Sequence, residues 1–176
     1  MRLYIMAARD YNKGFVDPFW DDEYVTLEYI NESFNNARDL KNWRLQGFTH
    51  EHYTGKLCDM RNPQPSWNNQ IVDWAEREFG LKDVGTAYYN METGVILPLH
   101  GDTYNAYRAR FECKLKECYR VLVFLRGWSS GHYFEIAGDP ITKWEAGDWI
   151  GWSGSLKHMA ANLGTEPRYT LQITGH

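Results

Sequence analysis

The short run "LPLHGD" at residues 97–102 places a histidine and an aspartate two apart. On an extended segment such residues point to the same side, so His100 and Asp102 converge on one point, with Gly101 letting the chain turn tightly between them. One neutral imidazole and one carboxylate make up two thirds of the two-histidine, one-carboxylate set that grips Fe(II) by one face and leaves the other positions open. A third ligand is required. Of the six histidines, His158 in "GSLKHMAANLG" stands out. It follows the glycine-punctuated run "GDWIGWSG" and precedes a further β-rich run, and in a barrel a late strand returns beside an early one. His100, Asp102 and His158 are therefore the expected metal ligands and the expected catalytic set.

Ten residues beyond His158 comes Arg168, in "PRYTLQITG". Along a strand Arg168, Thr170, Gln172 and Thr174 share one face, and Tyr169, Leu171 and Ile173 share the other. If the apolar face packs outward against helices, the polar face looks into the barrel. A buried arginine needs an anion. Its guanidinium fork suits a carboxylate, and the Thr170 hydroxyl lies two residues on. A dicarboxylate bridging metal and arginine would satisfy both ends.

The set HxD, distal His, then Arg-x-Thr ten residues later resembles the Fe(II)/2-oxoglutarate-dependent oxygenases, over roughly residues 84–176. The resemblance implies a double-stranded β-helix, with His100, Asp102 and His158 on Fe(II), and 2-oxoglutarate and O2 as cosubstrates. It implies that Arg168, helped by Thr170, holds the far carboxylate of 2-oxoglutarate. It also implies a cosubstrate contact from Tyr88 and Asn90, on the strand before HxD. Within the superfamily, "LPLHGDTYNAYRAR" and "KWEAGDWIGWSGSLKHMAANLGTEPRYTLQI" are similar to the aspartyl/asparaginyl β-hydroxylases, and "YNMETGVILPLHGD" more loosely to the prolyl hydroxylases. Asp102 is a departure from the first group, whose vertebrate members lack the carboxylate ligand. The implied reaction is hydroxylation of a substrate C–H bond coupled to oxidative decarboxylation of 2-oxoglutarate, the substrate being an amino-acid side chain in a protein or peptide, or a small molecule.

Other chemistry-bearing residues have plainer readings beside functional ones. "HEH" sets His50 and His52 two apart, but in a loop-like region without a third ligand; exposed histidines are expected there. Trp128, Trp149, Trp152 and Tyr104 either line the pocket or pack in core and rim. Arg108 and Arg110 meet an acidic group or lie on a solvated strand face. Asn105 orients substrate or sits in a turn; Asn162 supports the distal-His strand or lies in a loop. His132 and His176 show no partner. Cys58, Cys113 and Cys118 form no disulfide framework and read as small hydrophobes in a reducing compartment.

These residues need elements to position them. After residue 82 the chain breaks into short β-rich runs punctuated by Gly, Pro and Asp, the pattern of an antiparallel jelly-roll or cupin-like barrel. "VLVFL" is apolar on both faces and reads as a central, doubly covered strand. Upstream, "LYIMA" (3–7) reads as a strand. Leu27, Ile30, Phe34 and Ala37 recur at helical spacing, and Ile71, Trp74, Ala75 and Phe79 form a second helical stripe ended by Gly80. The turn-rich stretch 49–66 is long enough for a lid, or is a plain loop. The predicted organisation is one domain, with a helical part (1–82) packed on a double-stranded β-helix (83–176), mainly β with flanking helices.

The composition, 43% hydrophobic and 24% charged over 176 residues, is that of a folded domain. A net charge of −4 gives no reason to expect nucleic acid as a partner. No run approaches a membrane span or a signal h-region, so a soluble, cytoplasmic protein is expected. Two other functions compete with the oxygenase: a cupin-type metalloenzyme that does not use 2-oxoglutarate, and a non-catalytic β-barrel binding module. The cupin reading gives Arg168 no special task.

Overall fold

The computed structural model describes residues 10–34 and 36–176; the strand predicted at 3–7 lies outside them. Two antiparallel sheets face each other. The larger runs β1 (Tyr11–Phe15), β9 (Asp148–Ser153), β6 (Tyr119–Phe124), β11 (Arg168–Gly175), β4 (Gly85–Met91), β3 (Thr54–Asp59) and β2 (Ile30–Ser33). The smaller runs β5 (Ile96–His100), β10 (His158–Asn162), β7 (His132–Ile136) and β8 (Asp139–Ile141). Together they form a double-stranded β-helix, mainly β with flanking helices, as the repeated short runs predict.

Strand alternation divides the interior into two layers. Leu122 and Phe124 of β6 point between the sheets, with Tyr89, Met91, Phe134, Ile136 and Trp152. Val121 and Val123 of β6 point the opposite way, with Leu171 and Ile173 of β11. "VLVFL" is thus covered on both faces, as its composition predicts. The outer layer is closed by α2 (Asn68–Phe79), whose Ile71 and Ala75 are fully buried there. Gly80 ends α2 at φ +66°, a conformation glycine adopts at no steric cost.

The N-terminal part departs from expectation. No helix covers Leu27–Phe34. Val25, Leu27 and Tyr29 are partly buried on the outer layer, and Thr26, Glu28 and Ile30 are exposed. This is a period of two, and it leads into β2, which pairs with β3. The apparent helical spacing of Leu27, Ile30 and Phe34 shares only Leu27 with this alternation, and Ile30 is exposed on β2. The helix α1 (Ala37–Leu45) begins only afterwards, with Asn36 as its N-cap accepting from the Arg38 and Asp39 amides. The 49–66 stretch is likewise not a plain loop, since β3 runs through it. A third helix, α3 (Asn105–Phe111), stands where Arg108 and Arg110 were read on a strand face. Among the described residues, no helix is long and apolar enough to cross a membrane.

Candidate metal centre and anion pocket

The two candidate histidine ligands are rung partners. In the antiparallel pairing of β5 with β10, His158 stands directly opposite His100, and their rings lie 4.3 Å apart, centroid to centroid. Cross-strand partners share a face of the sheet, so both rings enter the same cavity. The register shifts between His158 and Ala160, leaving the histidine rung at the irregular end of the ladder.

Each ring is oriented from behind. His100 Nδ1 lies 2.7 Å from the Pro98 carbonyl oxygen, and His158 Nδ1 lies 2.9 Å from that of Leu156. A carbonyl only accepts, so each Nδ1 carries the proton and each Nε2 keeps its lone pair free. Backbone carbonyls fix metal-binding imidazoles in this way. Burial, reinforced by the neighbouring His158, pushes His100 down to about 4 against the pull of Asp102. Burial also lowers His158. Both rings are therefore neutral at physiological pH, as ligation requires.

Asp102 completes the group. One ligand atom from each of His100, Asp102 and His158 lies within 4.8 Å of the others, so the three could hold a metal ion. Asp102 Oδ1 is 3.9 Å from His100 Nε2. Burial works against the Asp102 carboxylate, yet Arg120 and the two histidines outweigh it and hold it below the usual carboxylate range. Gly101 is required by packing: a Cβ there would collide with Ser155 of the loop leading to His158. Trp43 of α1 and Phe34 close over His100, ring to ring at 5.8 and 4.8 Å.

The three ligands, Arg168 and Thr170 line one cavity of about 320 Å³ between the sheets. Arg168 is 4% exposed. Its guanidinium sits 5.7–5.8 Å from the ring centroids of Phe124, Phe134 and Trp144. Nη1 approaches Met91 Sδ at 3.2 Å, and Nε has no partner. Among the described residues, no carboxylate pairs with Arg168. Burial pushes the group down to about 10, Tyr89 working the other way. A buried cation left without a counter-charge among apolar rings is costly unless a ligand supplies one. Phe134 touches both ends of the cavity, its ring 6.2 Å from that of His158.

Tyr88 and Asn90 are corrections. In the β4–β11 pairing Tyr89 faces Thr170 and Met91 faces Arg168, whereas Asn90 faces Tyr169. Tyr89 and Met91 therefore point into the cavity. Tyr88 and Asn90 point to the outer layer, where the Tyr88 hydroxyl donates to Asn68 Oδ1 at 2.8 Å. In "YYNM" either tyrosine could begin the inward phase, and a slip of one residue exchanges the faces.

The remaining candidates separate cleanly. Tyr104 and Trp152 line the cavity, and Asn105 sits at its mouth. Trp149 packs outward on Trp74 and Phe79. Trp128 donates its Nε1–H to the His132 carbonyl. Asn162 donates to the Met91 and Glu166 carbonyls and accepts from Gly164, which ties the β10–β11 turn. His132 and His176 do have partners: His132 Nε2 meets the Glu166 carbonyl, and His176 Nδ1 meets the Tyr107 hydroxyl. His52 Nδ1 caps the Thr49 amide, and "HEH" forms no ligand group. Cys113 and Cys118 lie in a buried cluster with Tyr104.

One residue has no counterpart among the sequence candidates. Arg120 of β6 places Nη2 3.2 Å from Asp102 Oδ2 and donates from Nη1 to Gln172 Oε1 at 2.8 Å. The signal was a lone cation in "YRVLVF", in phase with the inward-facing Leu122 and Phe124.

No protein-family model matches the chain, and no curated protein does. Solved structures share its fold. A prolyl-4-hydroxylase from Pseudomonas putida is 14% identical with a TM-score of 0.53, covering 88% of this chain and 96% of that one. A protein with a double-stranded β-helix domain from Klebsiella pneumoniae is 15% identical with a TM-score of 0.38, covering 53% and 67%. A Bacillus subtilis oxalate decarboxylase is 17% identical with a TM-score of 0.38, covering 68% of this chain and 25% of that one. At 14% identity the likeness to the prolyl-4-hydroxylase is one of fold alone.

Proposed function

We propose that the protein is an Fe(II)- and 2-oxoglutarate-dependent dioxygenase that hydroxylates a substrate C–H bond. A two-histidine, one-carboxylate group suits iron and leaves positions open for cosubstrate and O2. An iron ion held there would supply the redox chemistry that activates O2. The chain's own residues bind and orient. His100 and His158 present neutral nitrogens, Asp102 adds a charge, and the rings of Phe34, Trp43 and Trp152 keep water from the centre.

The observation that carries the reading is Arg168. It is a buried guanidinium without an acid, in the same cavity as a group that could hold a metal. A dicarboxylate that reaches the metal at one end and Arg168 at the other removes the unpaired charge. A reaction whose anionic group is held at the metal alone leaves that charge unanswered. The substrate in this reading is an amino-acid side chain of a peptide or protein, or a small molecule entering past Asn105.

The test is an anaerobic titration of 2-oxoglutarate into the Fe(II)-loaded protein, followed in the visible spectrum. A weak saturable charge-transfer band in wild type, lost in Arg168→Ala and His100→Ala, is expected. Iron binding with no band on adding 2-oxoglutarate would overturn the oxygenase reading in favour of another metalloenzyme. No iron binding would leave a binding module.

A further inference from the structure

Among the described residues, one ion pair joins the two sheets beside the cavity, between Asp102 from the segment after β5 and Arg120 from β6. Arg120 is fixed on three sides. Gln172 stands diagonally across the β6–β11 ladder, where Thr174 faces Arg120 and Gln172 faces Leu122, and it takes Nη1. The Tyr104 ring lies 5.1 Å from the guanidinium carbon. Asp102 Oδ2 takes Nη2. The other carboxylate oxygen, Oδ1, is the one near His100 Nε2.

We propose that Arg120, itself anchored by Gln172, is a positioning residue that occupies Oδ2 of Asp102 and so presents the carboxylate to the metal through Oδ1 alone. The inference rests on the metal reading of His100, Asp102 and His158. A carboxylate with both oxygens free can turn or grip an ion through both, which uses an open position. One with an oxygen already committed to a rigid fork offers a single lone-pair direction. The sequence order supports the division of labour. Asp102 lies in the irregular segment between β5 and α3, whereas Arg120 and Gln172 lie on neighbouring central strands.

The experiment is Co(II) binding to the metal-free protein, read by affinity and by visible absorption, in wild type, Arg120→Met, Arg120→Lys and Gln172→Met. Orientation and charge predict opposite signs. Deleting a positive charge beside the centre should by Coulomb's law tighten cation binding. Loss of positioning should weaken it, by about 10- to 100-fold for an outer-shell partner of a ligand. We expect Arg120→Met to bind Co(II) at least about ten-fold more weakly with altered absorption bands. Arg120→Lys keeps the charge without the fork and should remain weakened. Gln172→Met leaves every charge in place and should weaken binding in the same direction by a smaller factor. Circular dichroism of each metal-free variant reports the fold separately, and Gln172→Met keeps the test alive if Arg120 variants do not fold. Wild-type or tighter affinity with wild-type absorption in Arg120→Met and Gln172→Met overturns the positioning role and leaves the metal centre standing. Failure of the wild-type protein to bind Co(II) overturns the metal reading, and this role with it.

Discussion

His100 and His158 occupy the same rung of the β5–β10 ladder, with ring centroids 4.3 Å apart. Residues 58 positions apart in the chain thus reach one point without either lying on a flexible loop. The pairing brings both rings into one buried cavity, and that burial sets how His100 answers to pH.

In the metal-free protein His100 titrates at about 4 instead of its ordinary 6.5. Above about pH 6.5 neither folded nor unfolded chain holds that proton. Below it the unfolded chain takes the proton and the folded chain refuses it until about pH 4, so stability falls as pH falls through this window. Thermal melts between about pH 7 and pH 5 should show this loss, and His100→Asn should flatten it. An unchanged slope in the variant would refute the assignment.

Arg168 should be a liability until a ligand arrives. Replacing even a buried ion pair by apolar side chains of similar volume is often stabilising, by about 1–4 kcal/mol, and an unpaired buried charge lacks the compensating attraction. Arg168→Met is therefore expected to raise the melting temperature of the ligand-free protein. On the proposed function, 2-oxoglutarate is expected to stabilise the wild-type metal-loaded protein, and the same variant should lose that stabilisation. A lower melting temperature in Arg168→Met would mean that the rings alone satisfy the guanidinium.

Tyr88→Phe separates the two faces of β4. It leaves Asn68 without its buried donor and should cost about 1–3 kcal/mol of stability, read by urea unfolding. Cosubstrate affinity should stay at the wild-type level, because Tyr88 packs in the outer layer. A ten-fold loss of 2-oxoglutarate affinity in Tyr88→Phe would return that residue to the site.

Gly101→Ala tests the seam between the ligand loops. The added Cβ has no room beside Ser155, so the loop that leads into His158 must move. Metal affinity is expected to drop by about ten-fold or more, as when a ligand's support is lost. Adding Ser155→Gly removes the Oγ collision and should restore part of it. Wild-type affinity in the single variant would show that the loop yields freely.

Much of this molecule is written locally. The types and order of His100, Asp102, His158 and Arg168, the two-faced apolar run of β6, and the stripe and glycine stop of α2 follow from side-chain chemistry and periodicity, which any isolated segment carries. So does the inward face of β11, since Arg168, Thr170, Leu171 and Ile173 differ enough in polarity to fix its phase. The phase of β4 was not legible, because two adjacent tyrosines satisfy either face, and only pairing with Thr170 and Arg168 sends Tyr89 inward. Nor was the strand at Ile30–Ser33, where Leu27, Ile30 and Phe34 fall at helical spacing and pairing with the edge of β3 decides. The lack of a carboxylate beside Arg168 and the clasp of Arg120 on Asp102 depend on which side chains the two sheets bring together. Those are contacts between residues distant in the chain, and they exist only once the sheets have closed.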